Sequence, residues 1–500
     1  MRTYSANSFC VSRRAYASAY AAAADPKGHT DVVRTAPTHP GPRTPGSDRS
    51  GLPLPPGPPE EIDMAVMREA PLAFITDLAR TYGDITRHRA GGDTVYLLNR
   101  PEYARHVLKD NGANYTKQDT PDDAMLRPLL GNGLLTSNGA DWARQRRLTA
   151  PAFRPSSVRS FDGIVTEATT ALLERWRPSV EAGSPIAVDD HLTALTLGIL
   201  THAILGADID GIGEGFGRAV DAVNRCIGHY VPDPDPDPAD TAQRYAAFSR
   251  ARVFLNTVTR TLIASRRAAG CPVSGGDAVG GTDGGAGNLL DTMMSGDHLV
   301  SDEDLRDQVL TIVMAGHETT AKSLSWTLYL LDRHPEEAAR VREEIDRVLG
   351  GRPPTAADLP DLPACRRAVQ EAMRLYPPVW LISRRAIGPD VIGGYRVEPG
   401  TLVCVSQWVL HRHPDHWDAP EEFRPDRFDG ASFPSHLYLP FGGGDRICVG
   451  QHFALLEAVL VLATLLQSVR LEVVDGLAVE PEALVTLRPK NGMTMIARPR

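Results

Sequence analysis

The chain has 500 residues, 42% hydrophobic and 23% charged, enough apolar side chain to fill a large core, and this excludes wholesale disorder. Its 53 Lys and Arg against 62 Asp and Glu give a formal charge of -9, which argues against nucleic acid as the main partner. The six cysteines form no Cys-x-x-Cys pair, so neither a zinc knuckle nor a disulfide framework is indicated, and a reducing compartment fits.

Met1 to Ala24 is rich in Ser, Arg and Ala and holds no acidic residue, a superficial likeness to an organelle transit peptide. The preferred reading is cytoplasmic. The start of the chain lacks the apolar stretch of a secretory signal, and no run reaches the ~18 apolar residues of a membrane span, so no integral membrane segment is expected. Pro, Gly, Thr and Arg dominate from Asp25 to Pro59, a composition that favours an extended, solvated linker. Residues 1–59 are therefore expected to form a disordered tail and Pro-rich linker, and 60–500 a single domain.

Beyond residue 60, apolar residues fall mostly at helical spacing, as in Leu305–Leu331, Glu336–Leu349 and Val449–Leu466. Shorter β-like runs lie at Thr94–Leu98, Tyr395–Val397, Leu402–Val405 and Met493–Ile496. The fold class is mainly α with small β-sheets. Val231–Pro238, a Pro-Asp alternation, and the Gly-rich stretch 270–287 read as exposed loops within one domain.

Four groups of residues stand out along this frame. Trp142 and Arg146 lie four apart on a helix and face the same way, with Arg144 and Arg147 pointing elsewhere. Ala315-Gly-His-Glu-Thr-Thr320 puts glycine, a carboxylate and hydroxyls inside an apolar helix. The bland explanation is a kinked core helix, the sharper one a widened groove that admits small ligands. Glu371 and Arg374 form an i, i+3 pair ahead of Pro377-Pro378, and in isolation such a pair is usually a surface salt bridge. Arg384 and Arg385 follow Val379-Trp-Leu-Ile-Ser383.

The last group is Phe441-Gly-Gly-Gly-Asp-Arg-Ile-Cys-Val-Gly450. A lone Cys is usually a small buried hydrophobe. Here three glycines let the backbone approach a flat group, Arg446 offers a fixed cation, and Cys448 sits just ahead of a helix N-terminus that favours a thiolate. A poised anionic sulfur is expected.

The pattern Phe-x-x-Gly-x-Arg-x-Cys-x-Gly resembles the haem-binding loop of the cytochrome P450 family at every fixed position. The other groups resemble that family's further motifs, in its order, over roughly residues 60 to 498. The resemblance implies the cytochrome P450 fold, with haem b (iron protoporphyrin IX) between the 315–320 helix and the Cys448 loop. It makes Cys448 the metal ligand and places Phe441 beside the haem. Arg446, Trp142, Arg146 and Arg384 would then hold the propionates, with the register between Arg384 and Arg385 open. Glu318 and Thr319 become the proton-delivering pair on the distal side of the iron, and His317 has no assigned role. Glu371, Arg374 and Arg427, the last in Phe423-Arg-Pro-Asp-Arg-Phe428, become a buried structural network.

The implied activity is that of a monomeric monooxygenase inserting one atom of O2 into an apolar small molecule, terpenoid or fatty-acid-like. Electrons would come from NAD(P)H through a separate ferredoxin reductase and ferredoxin, with Arg144 and Arg147 as a basic landing site. A peroxide-driven peroxygenase and a haem-thiolate sensor or carrier are the rivals. Segments expected to border the pocket are 118–135, 232–238, 379–382 and 484–486.

Overall fold

The computed structural model describes residues 51–206, 213–227, 238–268, 289–295, 301–430 and 432–500. The tail through residue 50, the loop at 270–287 and all of 231–238 but Pro238 lie outside the described residues.

Eight helices position the site: α1 Pro121–Leu130, α2 Gly139–Thr149, α3 Asp162–Ala182, α4 Val188–Leu205, α5 Asp302–Arg333, α6 Pro335–Leu349, α7 Pro363–Leu375 and α8 Gln451–Ser468. Helix α5 is started by Ser301, whose hydroxyl accepts from the Asp304 amide at 3.0 Å, and by three acids in its first turn, which complement the helix dipole. It ends where Pro335 can no longer continue it. Helices α4, α7 and α8 pack against it, so from Thr320 to Leu328 every α5 side chain is buried.

Helix α8 corrects the expectation that no run reaches membrane-span length. Among the described residues it alone is long and apolar enough to cross a bilayer, yet 67% of it is buried inside the fold. Its apolarity follows from its place between α3, α5, α6 and α7.

The largest sheet contains β1 Ile85–Ala90, β2 Asp93–Leu98, β3 Tyr115–Thr116, β4 Ile382–Ala386 and β5 Leu402–Val405, in the order β1-β2-β5-β4-β3. Gly91 and Gly92 close the β1–β2 hairpin with φ of +57° and +82°, the left-handed pair that a two-residue turn requires. Strand β2 runs parallel to β5, and β4 antiparallel to it, with Arg384 opposite Val403. The remaining expected strands pair in smaller sheets: Tyr395–Val397 with Asp390–Ile392, and Thr494–Pro499 with Val469–Val473 and Pro185–Ala187.

Structure also begins earlier than residue 60. The carbonyl of Pro56 accepts from the Arg87 amide at 2.8 Å, and that of Pro53 from Arg396 at 3.1 Å. A Cβ at Gly57 would lie 1.6 Å from the Arg87 carbonyl oxygen. Proline cannot donate to a ladder, but its carbonyl satisfies an edge strand, so a segment with linker composition docks as part of the fold.

Candidate active site

The Cys448 loop is a tight, glycine-dependent turn leading into α8. The Cys448 amide donates to the Phe441 carbonyl at 2.9 Å, and Ile447 to Gly444 at 3.1 Å. Gly442 and Gly444 take φ of +70° and +67°. A Cβ at Gly444 would stand 1.7 Å from the Leu108 carbonyl oxygen, and one at Gly443 would meet the His436 ring at 2.8 Å. These two glycines therefore serve protein packing against the π-helical turn His106–Asp110 and against His436, not clearance over a flat group as the sequence suggested.

Cys448 opens onto an internal cavity of about 360 Å³. Although its surface faces that space, the protein encloses it. Burial pushes the thiol up, opposed by the Gly450 amide and the Arg146 charge. In the protein alone enclosure therefore outweighs the helix terminus, and a coordinated cation would favour the thiolate expected from the sequence.

Basic side chains gather on one wall. Trp142 and Arg146 of α2 line the cavity together with Arg384 and Arg446. The Arg446 guanidinium lies over the Trp142 ring at 4.7 Å and donates to the Ser137 carbonyl at 2.8 Å. Strand alternation along β4 settles the register left open above. Arg384 faces the cavity, while Arg385 turns to the Asp93 carboxylate at 3.1 Å and the Asp119 and Gly400 carbonyls. Lys117 joins this wall, and nothing in its local sequence marks it. Partly buried, it donates to the Leu135 carbonyl at 2.9 Å. Burial holds its ammonium down to about 7, with Arg384 the next cause. Burial and Arg384 likewise lower Arg446 to about 10.

Arg384 thus depresses both Lys117 and Arg446 at the edge of an apolar cavity, an arrangement that two added carboxylates would relieve. With a thiol facing the same space, the donor set fits an iron porphyrin bearing two propionates. Arg384→Leu is expected to raise the rate of haem loss to a scavenger apoprotein about 10-fold, the scale of one charge-assisted hydrogen bond. Arg385→Leu should leave that rate unchanged and lower Tm instead, through loss of its Asp93 pair.

Opposite the loop, α5 presents Glu318 and Thr319 to the cavity. The Thr319 hydroxyl donates back to the Ala315 carbonyl at 2.9 Å, Thr320 to Gly316 at 3.2 Å and Ser323 to Thr319 at 2.9 Å, the back-bonding that loosens a helix. Glu318 is 6% exposed and accepts from the Thr486 hydroxyl at 3.0 Å. Gly316 is there for packing: a Cβ would come 2.8 Å from Leu200 of α4. His317 is buried off the cavity, its Nδ1 2.6 Å from the Val313 carbonyl oxygen. Two further groups escaped sequence reasoning. Thr311 lines the cavity, while its hydroxyl is sealed beside Gly133 without a partner, and burial pushes the Glu457 carboxyl of α8 well up. Thr311 is singled out only by tertiary packing, whereas Glu457, a carboxylate inside an apolar helix, carries a signal that the sequence did offer.

Beneath the loop, Glu371 and Arg374 form two hydrogen bonds of 2.8 Å, and both side chains are fully buried. Arg427 and the Arg424 amide each donate to the same carboxylate at 2.9 Å. Arg374 also donates to the His411 carbonyl, and the His411 ring accepts from the Leu439 amide, each at 2.8 Å. The network therefore reaches the chain two residues before Phe441. Arg144 lies 3.7 Å from Asp304, so half of the expected landing site is engaged within the protein, while Arg147 stays exposed.

Of the segments expected to border the pocket, 118–135, 379–382 and 484–486 contribute apolar lining, including Met125, Leu129, Val379 and Val485. Residues 232–237 lie outside the described residues.

The family model for cytochrome P450 matches residues 57–495. The chain is 33% identical to cyclooctatin synthase of Streptomyces melanosporofaciens over 87% of this chain and 93% of the relative. It is 32% identical to cyclooctat-9-en-7-ol 5-monooxygenase of the same organism, over 83% and 87%. Among solved structures, the haem domain of cytochrome P450DA superposes with a TM-score of 0.76 at 27% identity, covering 90% of this chain and 98% of that one.

Proposed function

The chain belongs to the cytochrome P450 family and is a haem-dependent monooxygenase, and on that premise we propose that it oxygenates an apolar, terpenoid-like molecule with electrons delivered from NAD(P)H through a ferredoxin reductase and a ferredoxin. The carrying observation is that Cys448, the basic wall and the Glu318–Thr319 pair surround one largely apolar cavity. The substrate reading is supported by that lining and by relatives named for cyclooctatin chemistry.

A bound haem supplies the activation of dioxygen and the transfer of one oxygen atom to the substrate. Cys448 would hold the iron through Sγ, and Arg146, Arg384, Arg446, Lys117 and the Trp142 N–H would hold the carboxylates. Phe441 packs at the edge of the same space. Above it, the Thr319 hydroxyl has lone pairs left over from its bond to Ala315 and stands ready to accept and pass a proton. Glu318, held by the Thr486 hydroxyl, is the neighbouring carboxyl that would relay that proton. The apolar walls exclude water from the reacting carbon and orient it.

Haem-loaded protein supplied with NAD(P)H, reductase and ferredoxin is expected to oxygenate members of a cyclic diterpene panel, with product matching cofactor consumed. Fatty acids shifting the ferric spin state while terpenoids leave it unmoved would overturn the substrate class. Equal turnover with hydrogen peroxide alone would overturn the donor, and binding without product would favour a sensor.

A further inference from the structure

Asp390, a buried residue outside the cavity lining, gathers donors from one short stretch of chain. Its Oδ2 accepts from His106 Nε2 at 2.8 Å, Asn111 Nδ2 at 2.9 Å and the Tyr115 hydroxyl at 2.6 Å, while Oδ1 accepts from the Val391 amide at 2.8 Å. Burial opposes the charge, yet the bonds from His106 and Tyr115 prevail and hold the carboxyl down to about 2. Two of these donors occupy a special place. The π-helical turn His106–Asp110 is closed by the Asn111 amide donating to the His106 carbonyl at 2.8 Å, and the side chains of the same two residues meet on Asp390. Turns closed five residues apart are rare and concentrate at functional sites. Here one ionised carboxylate ties both ends. Docking of this stretch does not require it. Asn114 already bonds the amide and the carbonyl of Gly388, the Ile387 amide donates to the Asn114 carbonyl, and Tyr115–Thr116 pairs with β4. A buried charge would be a costly way to repeat that attachment.

We infer that Asp390 is a positioning residue for the Cys448 loop, acting through the π turn whose ends it ties. The inference rests on the reading of Cys448 as the iron ligand. Its link to the loop is steric. The Leu108 carbonyl, in the middle of the π turn, fills the space beside Gly444 so closely that a Cβ there would stand 1.7 Å from its oxygen. Gly444 opens the 3-10 turn Gly444–Arg446, which the Ile447 amide closes on the Gly444 carbonyl, and Cys448 follows with its amide bonded to Phe441. Relaxation of the π turn to an ordinary α turn drops one residue from it, a shift of roughly 1.5 Å along the helix axis. At a contact with no room for a methyl group, a shift of that size displaces Gly444, and Arg446 and Cys448 move with it. Groups that orient a metal ligand from behind decide how firmly the ligand is held.

The test uses the full-length, haem-loaded protein and reads two rates: loss of the thiolate-ligated absorption signature from its ferrous carbonyl complex, and hydrogen exchange at the Asn111 amide. Asp390→Leu is expected to raise both at least about 10-fold. Asn111→Ala, which cuts one end of the clamp, should raise the first about 5-fold, the scale of one hydrogen bond, and serves if Asp390→Leu does not fold or hold haem. Two controls weaken the same region without touching the ends of the turn. Tyr115→Phe removes a bond to the same Oδ2, and Asn114→Ala frees the stretch from Gly388. Both should lower Tm while each rate stays within about 2-fold of the wild type. An Asp390→Leu protein that melts lower but keeps both rates would show an ordinary structural tie and overturn the inference. So would faster exchange with an unchanged thiolate signature, or a control that matches Asn111→Ala. A wild type that never shows the thiolate signature would overturn Cys448 as the ligand and the inference with it.

Discussion

Glu371→Ala is expected to give a protein that purifies with almost no haem and melts far below the wild type, read as the haem-to-protein ratio and Tm. Glu371 and Arg374 are both fully buried, and the Glu371 carboxylate takes hydrogen bonds from Arg374, Arg427 and the Arg424 amide. Removing it leaves a guanidinium enclosed without its counter-ion, a loss of about 3–5 kcal/mol, against a total stability on the order of 5–15 kcal/mol. Damage to the site follows from connectivity. Arg374 holds the His411 carbonyl, and His411 holds the Leu439 amide, so the segment entering the Cys448 loop loses its anchor. The exposed pair Arg80–Asp77 provides a contrast: Arg80→Ala should alter neither readout measurably. A Glu371→Ala protein with normal haem content and Tm would contradict the assignment.

The second large effect belongs to Thr319. Thr319→Val keeps the shape and the β-branch but removes the hydroxyl, and turnover is expected to fall about 100-fold, the lower end of what a positioned proton-transfer group contributes. Substrate affinity, read from the spin-state shift, should change little, because the Thr319 hydroxyl spends its donor on the Ala315 carbonyl and contributes no polar anchor. Thr319→Ser should restore most of the rate. Loss of affinity without loss of turnover at saturation would show that Thr319 shapes the pocket and moves no proton.

What could be read from the chain in advance was what lies close together in it. Phe441, Arg446 and Cys448 share ten residues, and Trp142 and Arg146 share one helical turn, so spacing alone exposed them. Glu318 and Thr319 were visible because polar residues inside an apolar helix conflict with their surroundings. Lys117 and Thr311 carry no such local conflict and acquire meaning only when separate elements close over one cavity. Arg384 and Arg385 could not be told apart until the pairing of β4 with β5 fixed which face each occupies. Two readings failed for related reasons. Gly444 was seen as necessary, but the obstacle is a carbonyl from Leu108, and Pro53–Gly57 has a linker's composition while its carbonyls find an edge strand.

The contact between Gly444 and Leu108 also bears on when the site can exist. The loop that carries Cys448 is pinned on one side by a backbone from the first quarter of the chain, and Arg446 reaches back 309 positions to Ser137. Such distant closures come late in folding, after the entropy of a very long loop has been overcome. During synthesis the N-terminal wall of the pocket is made first and waits, incomplete, until the segment around Gly450 has left the ribosome. Iron porphyrin is then captured only after that segment is in place, and any truncated product released before that point carries an exposed apolar half-pocket for quality control to recognise.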